Sequence, residues 1–358
     1  MKKRAVAILM AALTASTMFA VPTFAADYSG EDPQLEKNIK ILTIWAEDND
    51  NGVLLNKICE DYQKNVNPNF TWEYEMVASD NLQQKIATLA ASNDLPDLFA
   101  YEAGAPLSVL IDSGKVKDIS EAVDEIGTAD CLNSGAVELL KGLSGTDDLY
   151  DLPLGLNVEG FWYNKALFEQ AGCEVPTTWD ELKAACEALK AYDDSIYPWG
   201  IDMTTDEGQA AFAYYTWNNG GGFVDDEGNW TLNSEQNVEA IQYAIDLVNS
   251  GYTNTDPAND TRYDLQDMFG AGKVAMLIAP NSLPTYIATG GNEVNYGVAS
   301  IPSNTGESVS AGVMDRFMCF DNDYSDDEKA AISTFFDYFY DDARYTEWVD
   351  MEGFLPAT

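Results

Sequence analysis

At 358 residues and 46% hydrophobic, the chain exceeds the size at which single cores usually stop growing, which favours two lobes over one. Its 60 Asp and Glu against 19 Lys and Arg give a formal charge of −41, which repels phosphate backbones and anionic lipid surfaces and sets nucleic acid aside as a partner. The chain has no histidine, which excludes Ser-His and Cys-His nucleophile systems and His-ligated zinc.

In chain order, Lys2, Lys3 and Arg4, an apolar run to about Val21, and small residues at Thr23 and Ala25 form an export signal over residues 1–25, cleaved after Ala25. No cysteine lies near that point, so a freely soluble periplasmic or extracellular protein is expected. Residues 26–40 read as a polar leader. Residues 41–45 are a buried strand, and Leu54, Leu55, Ile58, Cys59 and Tyr62 repeat at helical spacing. Phe70, Trp72, Tyr74 and Met76 alternate with polar residues as a half-covered strand does. Asp80 can cap a helix bearing Leu82, Ile86, Leu89 and Ala90, and residues 96–101 return as a short strand. This βαβα rhythm implies an α/β fold with a mostly parallel sheet between helices.

The rhythm restarts after Leu156. Thr178 and Glu181 make a capping box ahead of Leu182, Cys186 and Leu189. Val238, Ile241, Ile245 and Val248 mark another helix, stopped by Gly251. Residues 273–279 suit a fully buried strand, and Ser325 with Glu328 caps a helix carrying Ile332, Phe335, Phe336 and Phe339. Of five cysteines, Cys59 and Cys186 fall on apolar helical faces, and only Cys173 with Cys186 looks pairable.

Chemistry concentrates where strands end. Glu47, Asp48 and Asn49 follow Trp45 in an acidic loop, but if Gly52 is the sixth residue of a calcium loop, the twelfth is Ile58 instead of Glu. That motif fails, and no metal or cofactor is expected. The glycines at 220–222 follow helix-like sequence and look like a helix stop, not a nucleotide loop. A glycosidase needs two opposed carboxylates, and with so many acids such pairs arise by chance, so the count proves nothing and a secreted carbohydrate-active enzyme stays as a remote alternative. Binding fits better. Sugars offer apolar C–H faces and hydroxyl rims, which suit Trp45 with Glu47, Asp48 and Asn49, and Tyr101 with Glu102 after the next strand. Asp315 and Arg316 leave two readings open: Arg316 pairs with an acidic sugar, or it makes a salt bridge within the protein.

The segment Leu152-Pro153-Leu154-Gly155-Leu156-Asn157, continuing through Tyr163-Asn164-Lys165, Phe168, Ala171-Gly172 and Pro176 to Thr178-Trp179-Asp180-Glu181-Leu182, resembles the family 1 extracellular solute-binding proteins of ABC importers, the maltose-binding-protein type. Segments at 95–99, 272–278 and 310–313 agree in order, and the likeness runs from about Ile41 to Thr358. It implies a two-lobed periplasmic-binding-protein type II fold, each lobe a mostly parallel sheet flanked by helices. Lobe 1 would comprise 41–156 and 307–345, lobe 2 would comprise 157–306 and 346–358, and the crossovers would fall near 155–157 and 302–308. It also implies a monomeric non-enzyme that closes on a carbohydrate and hands it to a membrane permease. The family's cleft residues fall on Trp45, Asn49, Tyr101, Asn157, Asn281 and Ser282, with Trp217 and Asn218 as weaker matches, whereas Trp162 and Trp179 belong to the core. Many members carry an aromatic where Ser282 stands. Members also continue for several tens of residues beyond the segment matching 353–358, so helices covering the second lobe are expected to be missing and apolar surface exposed.

Overall fold

Strand β1 (Lys37–Thr43) turns Ile39 and Ile41 into one apolar cluster and Leu42 into another, so it is covered on both faces, as a central strand must be. The structure is a computed structural model describing residues 36–101, 111, 114, 116, 118–120, 131–205, 207–225, 227–320 and 324–358. β1 pairs in parallel with β2 (Phe70–Met76) and β3 (Leu98–Tyr101), linked through helices α1 (Asp50–Asn65) and α2 (Ser79–Ser92). It starts inside the stretch read as leader because Lys37 is anchored: its Nζ lies 3.4 Å from Asp97 Oδ1 and 4.6 Å from the centre of the Tyr324 ring. Asp80 falls within the first turn of α2 and does not cap it; the N-cap is Ala78, which makes no side-chain capping bond.

The sheet has eight strands among the described residues, in the order β2-β1-β3-β8-β4-β6-β5, with β7 also on β4. The long strand β4 (Asp151–Asn164) runs antiparallel to β8 (Gly312–Cys319) as far as Val158 opposite Gly312. From Glu159 onward it pairs instead with β6 (Val274–Pro280), and from Phe161 also with β7 (Tyr296–Ala299). β5 (Tyr197–Gly200) lies parallel to β6. The parallel expectation therefore holds within β2-β1-β3 and β5-β6, and the antiparallel pairings enter through β4 and β8, which join the two halves.

Each half has its own core. Ile39, Ile58, Tyr62, Phe70, Phe317, Phe335 and Phe339 fill the first, and Phe161, Phe168, Leu182, Cys186, Leu189, Trp199 and Met276 the second. Helices α3 (Ser134–Ser144), α10 (Asp326–Phe339) and α11 (Asp342–Glu352) serve the first half. The second uses α4 (Lys165–Ala171), α5 (Trp179–Tyr192), α6 (Gly208–Trp217), α7 (Glu235–Asn249), α8 (Arg262–Gly270) and α9 (Leu283–Thr289). Both predicted capping boxes form, Thr178 with Glu181 and Ser325 with Glu328. Trp162 and Trp179 are core residues, as expected.

Three expectations change. Residues 346–358 do not go with the second half: Trp348, Val349 and Ala357 are buried in the first core, because the indole of Trp348 fits between Phe339 and Trp45, each with ring centres at 5.6 Å. On α7 the inward face is Ala240, Ala244 and Leu247, while Val238, Ile245 and Val248 point outward, at 60%, 44% and 39% exposure. Small residues let the helix approach its neighbours closely, so they took the inner face. Cys173 and Cys186 carry free thiols, the Cys173 Sγ donating weakly to the Ala185 carbonyl at 3.8 Å.

Candidate functional site

Strand β4 alternates its side chains, so Gly155, Asn157 and Glu159 share one face of a strand that passes from one half to the other. At Gly155 an added Cβ would lie 2.9 Å from the Phe354 ring; the bare backbone lets the 353–357 run come close enough for Leu156 and Leu355 to exchange two backbone hydrogen bonds of 2.9 Å. The next residue on that face, Asn157, has a buried Oδ1 with no hydrogen-bond partner among the described residues. Burying an amide oxygen unsatisfied costs about 1–3 kcal/mol, an expense typical of places that await a donor.

Glu159 opens into a small recess of about 50 Å³ in the second half. Its floor is Trp199 and Gly200 at the end of β5 and Leu277 in the middle of β6; its rim is Asp202, Glu207, Tyr214 and Arg262, from the loop after β5 and from α6 and α8. That is where ligands sit in open α/β sheets, beyond the carboxyl ends of strands. Arg262 Nε lies 3.2 Å from Glu207 Oε1. Burial pushes the Glu159 carboxyl up to about 7, with the Arg262 charge pulling it down and Glu207 adding to the rise.

On the other side of Gly155 stands Glu352, the last residue of α11. Asn51 Nδ2 donates to its Oε1 at 2.5 Å, and its Oε2 is buried without a partner among the described residues. Burial, and then the neighbouring Asp315, hold its carboxyl well above the usual range. Trp45 lies half-buried nearby through its contact with Trp348.

The expected residues divide accordingly. Trp45 is half-buried against Trp348 and Asn157 stands two residues beyond Gly155 on β4, whereas Glu47 and Asp48 are exposed in the loop. Asn49 is the N-cap of α1, its Oδ1 accepting from Gly52 N at 2.8 Å, so its oxygen is already used. Tyr101 ends β3, where its backbone pairs with Arg316; its side chain and all of Glu102 lie outside the described residues. Asn281 Oδ1 accepts from Val158 N at 2.5 Å and its Nδ2 donates to Gly353 O at 2.7 Å, so its amide clamps the crossover. Ser282 is half-buried at the head of α9 and makes no capping bond. Trp217 packs edge-on against Phe223 at 6.3 Å. Asn218 is fully buried and spends its amide on the carbonyls of Tyr214 and Val309 and on Val309 N, tying α6 to the returning chain. Asp315 is buried beside Glu352, but Arg316 turns into the first core, where its Nη1 donates to Asp151 Oδ2 at 3.0 Å. Of its two open readings the salt bridge is the one that forms.

Sequence reasoning missed Glu159, Asp202, Glu207, Tyr214, Arg262 and Glu352. Glu159 was within reach, since it lies two positions beyond Asn157 on the same strand face. Glu207 and Arg262 sit at the heads of α6 and α8, the polar ends that follow strands or loops. Nothing local marked Glu352.

The raised acids have a consequence for stability. Unfolded, Glu159, Glu352 and Asp151 titrate in the ordinary carboxyl range; folded, Glu159 titrates near 7, Asp151 near 6 and Glu352 well above 4.5. Between those ranges the folded state holds more protons, so stability falls as pH rises. We expect a higher melting temperature at about pH 5 than at about pH 8. At still lower pH the acids with depressed values, such as Glu181 and Glu328, lose their bonds and reverse the trend. Scanning calorimetry across this range checks the slope; Glu159→Gln and Glu352→Gln should each flatten it.

Comparison with known proteins agrees with this architecture. The family described as bacterial extracellular solute-binding protein matches residues 46–343. A binding protein of Brucella abortus is 30% identical over 294 residues, covering 81% of this chain and 69% of that one. Maltose-bound MalE3 of T. maritima superposes with a TM-score of 0.73 at 18% identity, over 89% of this chain and 81% of that one. A substrate-binding protein of Listeria monocytogenes in complex with cycloalternan gives 0.67 at 21%, over 90% and 80%. With the family match spanning most of the chain and both halves of the sheet, the protein belongs to the bacterial extracellular solute-binding proteins.

Proposed function

We propose that the protein captures a carbohydrate between its two halves and delivers it to the permease of an ABC importer, acting as an exported monomer without catalytic turnover. The observation that carries this reading is the single face of β4 that takes Gly155, Asn157 and Glu159 from one half to the other, with the unmatched Asn157 Oδ1 on it and Glu159 opening into the recess. On this reading the lobes divide between Val158 and Glu159, the signal at 1–25 directs export, and ligand contacts from both lobes favour the closed arrangement. The maltose and cycloalternan complexes of similarly folded proteins support the choice of a sugar. An acidic sugar loses its strongest support once Arg316 is committed to Asp151.

The test is titration calorimetry against a panel of mono- and oligosaccharides. Asn157→Ala should weaken the binding of any sugar that the wild type takes by about tenfold or more, the equivalent of one lost hydrogen bond to a buried group, with the melting temperature unchanged. Unchanged affinity would remove Asn157 from the site. Cleavage products in the same mixtures would replace the binding reading by an enzymatic one.

A further inference from the structure

The recess at Glu159 contains three carboxyl groups, Glu159, Asp202 and Glu207, against one guanidinium, Arg262. That guanidinium is largely engaged: its Nε lies 3.2 Å from Glu207 Oε1 as an ion pair without hydrogen-bond geometry, its Nη2 donates to Tyr263 Oη at 3.1 Å, and it rests 4.8 Å from the centre of the Tyr263 ring. Once Arg262 and Glu207 cancel, Glu159 and Asp202 remain. Asp202 Oδ1 accepts from Thr204 N at 2.8 Å, but its Oδ2 is buried with no partner among the described residues. Among the described residues no side-chain hydrogen bond reaches the Glu159 carboxyl either; the groups facing it are Arg262, Glu207 and Tyr214. Nor can the floor supply a donor, since Trp199 Nε1 already donates to Tyr215 Oη at 2.8 Å.

We propose that this recess selects a ligand carrying a protonated amine, an amino sugar in preference to a neutral or acidic one, with its ammonium held by Glu159 and Asp202. The inference rests on the carbohydrate reading above and sharpens it. An ammonium brings three N–H donors and a positive charge into a place with surplus carboxyl oxygens, whereas a hydroxyl brings one donor and no charge. Unpaired carboxylates taken out of water are costly, and the cost is removed most fully by a cation. Burial leaves part of the Glu159 population protonated near neutral pH when the recess is empty. An arriving ammonium favours the carboxylate, so binding passes the Glu159 proton to the buffer.

The experiment compares sugars matched in linkage: the β-1,4 disaccharides of glucosamine, N-acetylglucosamine and glucose, and the corresponding monosaccharides, by calorimetry near neutral pH in two buffers of different ionisation heat. The amine should bind at least about tenfold tighter than either neutral partner, with buffer-dependent heat reporting proton release. Glu159→Gln should remove most of that preference, lowering affinity for the amine far more than for the neutral partners, and Asp202→Asn provides a second variant if the first folds poorly. Neutral sugars binding as tightly as the amine, or a preference that survives both variants, would overturn this inference and leave the carbohydrate reading standing. Failure of every sugar to bind would overturn both.

Discussion

Trp348→Ala is expected to lower the unfolding free energy by about 3–5 kcal/mol, the range for truncating a large buried aromatic. The indole is fully buried among Trp45, Phe339 and the rest of the first core. Its loss opens a cavity where α11 lies against α1. The same change at Trp230, 75% exposed, should cost almost nothing and serves as the control. Denaturant titration of both variants decides the matter. A loss at Trp348 no larger than at Trp230 would mean that residues 346–358 contribute little to the first core. The substitution also strips the surroundings of Glu352, whose carboxyl lies one helical turn further on, so ligand affinity should fall along with stability.

The second large effect is expected at Arg316→Met. Asp151 is 1% exposed and its Oδ2 accepts from Arg316 Nη1 at 3.0 Å; without the guanidinium, a carboxylate remains in the core. Breaking a buried pair from one side costs about 3–5 kcal/mol, whereas replacing both partners by apolar residues is often near neutral. Arg316→Met should therefore destabilise strongly, and Asp151→Leu in the same background should recover much of the loss. The deficit should also shrink at about pH 5, because burial already raises the Asp151 carboxyl to about 6 despite Arg316, and a protonated acid needs no counter-charge. Urea titrations at two pH values measure both effects. Equal stability of Arg316→Met and wild type would show that the pair contributes nothing.

Much of the fold was legible because local and global preferences agree there. The apolar run at 41–45, the alternation at Phe70, Trp72, Tyr74 and Met76, and the two capping boxes each specify an element on their own, and each element is present, although the first strand ends at Thr43 and leaves Ile44 and Trp45 beyond it. On α7 legibility failed. Its sequence has two apolar stripes, and periodicity cannot say which one a neighbour covers; alanines won because they allow the closest approach. The site was less legible still. Asparagine amides bind ligands and anchor loops with the same atoms, so only coordinates separate Asn157, with its unmet oxygen, from Asn218 and Asn281, whose amides are spent on backbone. Arg316 read as a ligand group because sequence shows its charge but not the register that turns it toward Asp151. Glu207 and Arg262 meet only through folding, and no spacing announces them.

The change of partner along β4 limits how the halves can shift relative to each other. Val158 N and the carbonyl beside it are tied to Asn281, while Glu159 N is tied to the Ala311 carbonyl, and the Leu156–Leu355 pair runs alongside. Segments of chain thus lie abreast at the junction, joined crosswise. Such a bundle resists sliding, since sliding would break several backbone hydrogen bonds at once. If the halves close on a ligand as proposed, this crosswise tie keeps them in one register, so a bound molecule would meet the same atoms at each closure.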